Sequence, residues 1–166
     1  YDVQWNAMAV VNNLNVEYPL EFYRFFRDEL NCRYLQFTPI VERVDEKGRF
    51  VIGNEEGKLT KTSISSKQWG AFLCAIFDEW VQHDVGEMFV QMFDATLANW
   101  CGVPPGICSL APTCGHSAAM EHNGDLFSCD HFVFPQHLLG NIRMNSITSM
   151  MYGDQQKAFG LSKCNE

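Results

Sequence analysis

The sequence predicts an α/β fold, with an α+β arrangement in its C-terminal part. Between residues 5 and 41, two apolar segments of strand length flank a segment with helical periodicity, which is the order found in parallel α/β sheets. A long amphipathic helix is predicted over residues 69–81. This apolar periodicity fades by the end of a first domain, which we place at residues 1–100. Four of the seven cysteines fall early in the second domain, residues 101–166.

The first two strands are predicted at residues 5–11 (WNAMAVV) and 34–41 (YLQFTPIV). Both segments are apolar on either face, which is typical of parallel strands covered on both sides. Between them, Pro19 fits the first position of a helix, aromatic residues follow with helical spacing, and Asn31 fits the helix end. The polar segment 44–64 that comes next contains three glycines, and we predict that it forms an inserted hairpin or excursion.

The longest helix of the first domain has a clear start signal. Ser65 and Gln68 form the S-x-x-Q pattern of a capping box. Apolar residues then repeat with helical spacing: Trp69, Phe72, Leu73, Ile76, Phe77, Trp80 and Val81. A stripe of this kind is more often core than a cofactor site, so we assign it to the core. A third strand is predicted at residues 87–93 (EMFVQMF), and a short helix at 95–100.

Composition and charge exclude several classes of function. The net charge is −8, which argues against nucleic acid as a partner. No apolar run reaches the roughly 18 residues of a membrane helix, and no signal peptide is visible. We therefore expect a cytoplasmic protein without a membrane partner. Seven cysteines cannot all pair internally, so reduced thiols or metal ligation are favoured.

Three cysteines of the second domain form the candidate metal site: Cys108, Cys114 and Cys129. Thiolates suit iron–sulfur clusters and zinc. The Asn123-Gly124 pair predicts a hairpin turn that would return Cys129 towards Cys114. Spacing alone leaves open whether these residues are ligands or small buried hydrophobic residues. A zinc ribbon is the rival metal site, although the close C-x2-C pairs that it usually needs are absent from the sequence.

Residues 114–133 (CGHSAAMEHNGDLFSCDHFV) resemble the anaerobic sulfatase-maturating enzymes, which are radical S-adenosylmethionine (SAM) proteins with a C-terminal SPASM domain. Residues 34–43 (YLQFTPIVER), residues 139–142 (LGNI) and the Q-x2-F-G pattern that begins at Gln156 resemble them as well. The resemblance spans nearly the whole chain and is weakest over the predicted excursion.

The resemblance implies the C-terminal part of a partial (β/α)6 radical SAM barrel, followed by the truncated start of a SPASM domain with a β-hairpin. Residues 5–41 would supply the fifth strand, its helix and the sixth strand. The family binds SAM at a cluster held by a C-x3-C-x2-C loop, and no such spacing occurs in this sequence. We therefore expect a fragment of a longer enzyme that cannot cleave SAM by itself. Its open strand edges also predict self-association.

In the family, the SPASM domain holds two auxiliary 4Fe-4S clusters. The resemblance makes Cys108, Cys114 and Cys129 three ligands of the first one, with the fourth ligand beyond Glu166. The cluster is therefore expected to be labile or absent in this chain. Cys164 matches no motif and stays unassigned. The remaining cysteines lie in apolar contexts that predict core positions: Cys32, Cys74 and Cys101.

The implied reaction converts a Cys or Ser of an unfolded sulfatase peptide to formylglycine under anaerobic conditions. Asp130 matches the family's proposed base, although an Asp in this kind of context is by itself more often a turn or capping residue. His131 and His116 are alternative bases, since histidine titrates near neutral pH, although a hydrogen-bonded structural histidine is the more common role for each. Gln36 would lie near the SAM adenosine, because barrel sites gather where strands end, or it would be an ordinary residue of a core strand.

Two other functions remain open at the level of sequence. The first is a non-catalytic, SPASM-like module that binds a peptide or a partner, as proteins described as arylsulfatase regulators do. The second is a zinc-binding structural domain. A C-x3-C-x2-C loop upstream of this sequence would favour the enzyme, and metal analysis would distinguish zinc from iron.

Overall fold

The computed structural model describes residues 3–51 and 56–163. The chain divides into two compact units, residues 1–94 and 95–166, and each is described by itself below. Both helices and strands are present, in agreement with the predicted mixed α/β class. None of the helices within the described ranges combines the length and the apolar character needed to cross a membrane.

The first unit is built on a parallel sheet with the strand order β1-β2-β6. Its elements are β1 Ala7–Val11, α1 Pro19–Arg24, β2 Tyr34–Pro39, β3 Arg43–Val44, β4 Phe50–Val51, β5 Lys58–Leu59, α2 Ser66–His83 and β6 Phe89–Val90. The predicted strand–helix–strand order and the parallel pairing are therefore confirmed. Strands β3, β4 and β5 form a separate antiparallel sheet within the segment predicted as an excursion.

The first helix begins and ends at the predicted residues. Pro19 occupies the first turn of α1, where its missing N–H costs nothing. The helix continues as a π-helical turn, Phe25–Glu29, in which the Leu30 N–H donates to the Phe25 carbonyl at 3.1 Å. Asn31 then takes a positive φ of 48°, a conformation that asparagine tolerates better than most residues. The chain can therefore turn back into β2.

Helix α2 starts with the predicted capping box. The Ser65 hydroxyl accepts from the Gln68 N–H, and the Gln68 side chain accepts from the Ser65 N–H. Phe72, Ile76 and Trp80 are buried and join the core of the first unit. Two residues of the predicted stripe, Phe77 and Val81, are exposed. The buried side of α2 is therefore narrower than the apolar stripe.

The parallel sheet is covered on only one face by the described residues. Ala9, Val11 and Leu35 are buried on the face that α1 and α2 cover. The opposite face, which we call the open face, carries Met8, Val10, Tyr34, Gln36 and Phe89. Met8 is 67% exposed and Val10 is 48% exposed. The prediction that both faces would be covered is therefore wrong for the described part of the chain.

The third strand is shorter than predicted. Only Phe89–Val90 pairs with β2, and helix α3, Gln91–Trp100, begins at once. Phe93 is the reason, because it packs from this helix against Phe77 and Trp80, with ring centroids 5.3 and 5.4 Å apart. An extended chain would alternate its side chains between two faces, whereas the helix keeps Phe93 in the core.

Among the described residues, the second unit contains most of α3, an antiparallel sheet with the order β7-β8-β9, a 3-10 turn at Pro135–His137 and two further helices. Its elements are β7 Ala119–Met120, β8 Asp125–Phe127, β9 Leu138–Asn141, α4 Ile147–Met151 and α5 Asp154–Ser162. The Asn123-Gly124 hairpin is confirmed, because β7 pairs with β8 and Gly124 takes a φ of 93°. This hairpin and α5 position the residues of the candidate site.

Candidate functional site

Cys129 lies just beyond the end of β8. Ser128 is almost fully buried, and its N–H donates to the His137 carbonyl at 3.0 Å. The Cys129 carbonyl in turn accepts from the Phe132 N–H at 3.1 Å. Backbone hydrogen bonds on both sides therefore fix the position of this cysteine. The sequence predicted only that it lies near the hairpin.

Three neighbouring side chains form a cluster at the hairpin end: Cys129, Asp130 and His131. Their potential ligand atoms all lie within 4.8 Å of one another. The Cys129 thiol donates to Asp130 Oδ1 at 3.3 Å, and His131 Nδ1 lies 3.3 Å from the same oxygen. Two of the predicted bases thus lie beside the predicted ligand, and both are exposed.

The pKa values of the Asp130 carboxyl and the Cys129 thiol depend on each other, because the thiol proton is shared in a hydrogen bond between them. The hydrogen bond from Cys129 lowers the pKa of the Asp130 carboxyl below its ordinary value. Burial raises the pKa of the Cys129 thiol, and the Asp130 carboxylate and the Cys108 thiol raise it further. Cys129 is therefore a thiol at neutral pH in the absence of a metal.

Cys114 is joined to the same region through its backbone. The Cys114 N–H donates to the Gly160 carbonyl on α5 at 3.1 Å. The Gln156 side chain donates from Nε2 to the carbonyls of Gly115, at 2.8 Å, and Ser128, at 3.0 Å. These two carbonyls belong to the residues next to Cys114 and Cys129, so one amide links both loops.

Cys108 is held by a residue that the sequence did not single out. Lys163 Nζ donates to the carbonyls of Cys108, Ser109 and Ala111 at 2.8, 2.8 and 2.7 Å. Nothing in the pattern of α5 distinguishes Lys163 from a solvent-exposed lysine. Gln156 belongs to the Q-x2-F-G pattern. Its contacts could not be predicted from the sequence, because its hydrogen-bond partners are 41 and 28 residues away.

The three cysteine thiols do not gather as the ligands of a single ion would. Within the described ranges, the thiols of Cys108, Cys114 and Cys129 do not form a group whose ligand atoms all lie within 4.8 Å. Thiolates that bind different irons of one cubane must stand farther apart than the ligands of a single ion. Three soft sulfur donors on linked loops match three of the four thiolates that hold a 4Fe-4S cluster.

The other candidate residues lie elsewhere. Gln36 is on the open face of β2, opposite Met8 in register, and it belongs to the first unit. His116 is exposed and is not part of the three-residue cluster at the hairpin end.

The remaining cysteines only partly match their prediction. Cys32 is buried, as predicted, and its Sγ lies 3.2 Å from the Tyr34 carbonyl. Cys74 and Cys101 are exposed, so their assignment to the core is wrong. Cys74 lies two positions from the buried Phe72, which turns it to the far side of α2, and Cys101 follows the end of α3. Cys164 lies outside the described residues.

Comparison with curated proteins finds anaerobic sulfatase-maturating enzymes of both the serine type and the cysteine type. The serine-type anaerobic sulfatase-maturating enzyme of Bacteroides thetaiotaomicron is 54% identical over 98% of this chain and 40% of its own length. The cysteine-type enzyme of Clostridium novyi is 25% identical over 99% of this chain and 42% of its own length. No family model matches. The chain thus spans about 40% of the length of the curated relatives it matches.

Solved structures show the same fold. The chain of anSMEcpe with bound AdoMet matches with a TM-score of 0.78 at 23% identity, over 98% of this chain and 40% of that one. A structure of anSMEcpe with bound AdoMet and Kp18Cys peptide matches with a TM-score of 0.79 over 42% of that chain. The resemblance predicted from the cysteine-rich segment is therefore confirmed over nearly the entire sequence.

Proposed function

Because this chain is a homologue of part of the anaerobic sulfatase-maturating enzymes, we propose that it is the C-terminal part of a radical SAM enzyme that oxidises a residue of an unfolded sulfatase peptide to formylglycine. The observation that carries the proposal is the 54% identity over 98% of the chain. The same relative bears the serine-type name, whereas the cysteine-type relative is 25% identical. Serine is therefore the favoured target, in the cytoplasm and under anaerobic conditions.

The first unit is proposed to be the final part of the barrel wall. A parallel sheet with helices on one face is the arrangement of such a wall, in which the other face lines the interior. The exposed apolar side chains Met8 and Val10 support this assignment, because an isolated sheet would leave them in water. Gln36 shares the open face, which supports its proposed place near SAM.

The second unit is proposed to be the start of a SPASM domain, with Cys108, Cys114 and Cys129 as three ligands of an auxiliary 4Fe-4S cluster. The linked loops support this, as does the close approach of Gly160, where an added Cβ would lie 2.7 Å from the Cys114 carbonyl oxygen. When bound, SAM and the clusters would supply hydrogen-atom abstraction and an electron acceptor. This chain's own residues would hold the cluster and move a proton.

Asp130 is proposed to accept the hydroxyl or thiol proton of the target residue. Its carboxylate is exposed, so a peptide can reach it, and it follows directly after Cys129, which holds it in place. A thiolate bound to iron has no proton left to donate. The Asp130 oxygen that now accepts from Cys129 would then be available to the substrate. His131, 3.3 Å away, is a second acceptor in the same cluster.

An anaerobic peptide assay tests the function. The full-length protein, reconstituted with iron and sulfide and given SAM and a reductant, is incubated with two sulfatase peptides that differ only in serine or cysteine at the target. We expect the serine peptide to lose two hydrogen atoms by mass and to react with an aldehyde reagent. Conversion of the cysteine peptide alone would overturn the serine assignment. Conversion of neither peptide by a protein that cleaves SAM would overturn the function.

Zinc binding is the second candidate, and one observation favours it. Cys129, Asp130 and His131 offer sulfur, oxygen and nitrogen ligands within 4.8 Å, which zinc accepts. A structural zinc site usually has four ligands and is closed to solvent, whereas Asp130 and His131 are exposed. Metal analysis of protein purified under anaerobic conditions separates the two: stoichiometric zinc without iron would replace the cluster assignment.

A further inference from the structure

Helix α5 contacts the cysteine loops through one side. Gln156 and Gly160 belong to α5, and Lys163 follows directly as its C-terminal cap with a helical backbone. The three are spaced by four and three residues, so they lie on the same side of the helix. We call this the α5 face, and we propose that it is the scaffold that positions the three cysteine ligands and tunes their cluster. The proposal rests on the ligand assignment given above, and it assigns positioning roles, not catalytic ones.

Gln156 fixes the separation of two ligand loops. It is 3% exposed, and its Nε2 donates to the carbonyls of Gly115 and Ser128 at 2.8 and 3.0 Å. Its Oε1 is buried and has no hydrogen-bond partner. Leaving a buried acceptor unpaired is unfavourable, so an amide at this position is best explained by the two bonds that it donates. Those bonds span the residues next to Cys114 and Cys129.

Gly160 lets the helix approach the middle loop. The Cys114 N–H reaches the Gly160 carbonyl at 3.1 Å, and a Cβ at position 160 would lie 2.7 Å from the Cys114 carbonyl oxygen. Backbone atoms cannot yield as a flexible side chain can. Any larger residue would therefore push α5 and the Cys114 loop apart and change the position of this ligand.

Lys163 holds the first loop and brings a positive charge to it. An ammonium group has three donors, and Lys163 directs them to the carbonyls of Cys108, Ser109 and Ala111. The turn beneath is closed by the Ala111 N–H, which donates to the Cys108 carbonyl at 3.2 Å. Because a cluster gains negative charge on reduction, a nearby ammonium should make it easier to reduce.

The same helix offers a matched control. Lys157 lies six residues earlier, and its side chain is 64% exposed. Its ammonium pairs with Asp154 at 3.8 Å. Removing this charge changes the net charge of the protein as much as removing Lys163 does. Lys157 lines the same cavity as Cys114, but its ammonium pairs with Asp154 and does not hold the carbonyls of the Cys108 loop.

The test compares Lys163→Met with Lys157→Met in the full-length protein, reconstituted anaerobically. The readouts are the rate at which a chelator removes iron from the auxiliary cluster, its reduction potential and its spectrum when reduced. We expect Lys163→Met to lose iron about tenfold faster, as is usual when a residue supporting a ligand is removed, and its potential to fall. Lys157→Met should match the unaltered protein. Lys163→Arg, which keeps the charge, should restore most of the potential.

The outcomes distinguish this proposal from the one it rests on. If Cys129→Ala leaves the iron content of the unaltered protein unchanged, the ligand assignment fails, and the scaffold with it. If Cys129→Ala removes the cluster but Lys163→Met keeps the iron-loss rate and the potential, the role of Lys163 alone is overturned. Should Lys163→Met not fold, Lys163→Gln takes its place, since its amide still donates to carbonyls but carries no charge. An unchanged potential in Lys163→Gln would equally overturn the role.

Discussion

Asp130 illustrates how the neighbours of a residue determine what it can do. Next to a protonated Cys129, the Asp130 carboxylate accepts a hydrogen bond from the thiol through Oδ1. That oxygen is then occupied by Cys129. Next to a thiolate bound to metal, the same carboxylate would have an acceptor site open towards the solvent. Its exposure is therefore part of its proposed role, because a buried carboxylate could not reach a peptide.

Replacing Asp130 by asparagine tests that role. An amide of the same shape cannot take up the proton, so Asp130→Asn in the full-length protein should keep its iron content while formylglycine formation falls at least a hundredfold, a loss on the order of that caused by removing a general base. Peptide mass spectrometry and iron analysis measure the two quantities. His131→Asn is the matched comparison, since it alters the adjacent exposed side chain. Full activity of Asp130→Asn would remove this residue from the mechanism.

Individual residues could be predicted where the residue type itself indicates a role. They could not be predicted where the role depends on how the chain packs. A pattern of cysteines and an Asn-Gly turn indicated the hairpin and the neighbourhood of Cys129. Lys163 could not be found in this way, because its three carbonyl partners lie 52 to 55 residues away. Cys74 failed for a different reason: its apolar context suggested the core, whereas the helical spacing of Phe72 and Ile76 already places it off the buried side of α2.

At the scale of elements, an ionic network joins α1 and its π-helical extension to α2. Glu79 on α2 accepts from Arg24 at 2.9 Å and from Arg27 at 2.9 Å. Arg27 also donates to Asp84 at 2.8 Å, and Asp84 accepts from the buried Tyr23 hydroxyl at 2.8 Å. These contacts connect helices that are distant in sequence at the edge of the core.

The network predicts a pH dependence of stability. The hydrogen bond from Arg24 lowers the pKa of the Glu79 carboxyl, burial opposes this, and the bond from Arg27 lowers it further. Because the folded pKa lies below the ordinary value of 4.5, the stabilisation from Glu79 is complete above that pH and is lost as the pH falls. Glu79→Gln should therefore lower the free energy of unfolding by about 1 kcal/mol at pH 7 and by less in acid.

Urea unfolding of the full-length protein at neutral and acidic pH measures this difference. Asp78→Asn is the matched control, because Asp78 is the adjacent carboxylate of α2 and is exposed. A Glu79→Gln protein whose destabilisation is the same at pH 7 and in acid would show that the ion pairs do not carry the effect.

The elements themselves were predictable where local signals agreed with packing. Pro19, Asn31 and the Ser65–Gln68 capping box marked helix ends correctly, because caps are satisfied by nearby residues. The third strand was overestimated, since its apolar residues serve equally well in a helix, and only the contact of Phe93 with Phe77 and Trp80 decides between the two. The open face could not be foreseen either, because an apolar strand does not show what covers it.

At the scale of the whole molecule, the proposed radical SAM chemistry would need the C-x3-C-x2-C loop that the resemblance implies. No C-x3-C-x2-C spacing occurs in the 166 residues. The chain alone, reconstituted with iron and sulfide and reduced, should yield no 5′-deoxyadenosine from SAM. Chromatography of the reaction measures this, with the full-length protein as the positive control. Turnover by the isolated chain would mean that SAM is cleaved at a site other than the family's loop.

The isolated chain should also associate with itself. Strands β1 and β6 are the two edges of the parallel sheet, and an unpaired edge invites pairing with another chain. Next to these edges, the open face exposes Met8 and Val10, two large apolar side chains that water does not favour. The unpaired edge and the exposed apolar side chains both lie on β1. We therefore expect light scattering to show dimers or larger species whose proportion increases with protein concentration.

A charged substitution on the open face distinguishes association through this face from non-specific hydrophobic association. Val10→Lys places an ammonium on the edge strand, which natural proteins use to discourage pairing, and it should shift the isolated chain towards the monomer. Val103→Lys is the comparison, because Val103 is an exposed apolar residue of the second unit. If the open face is the barrel interior, Val10→Lys should in addition impair SAM binding by the full-length protein, whereas Val103→Lys should not. A chain that is monomeric before any substitution would contradict the association and leave the open face to be explained without a covering partner.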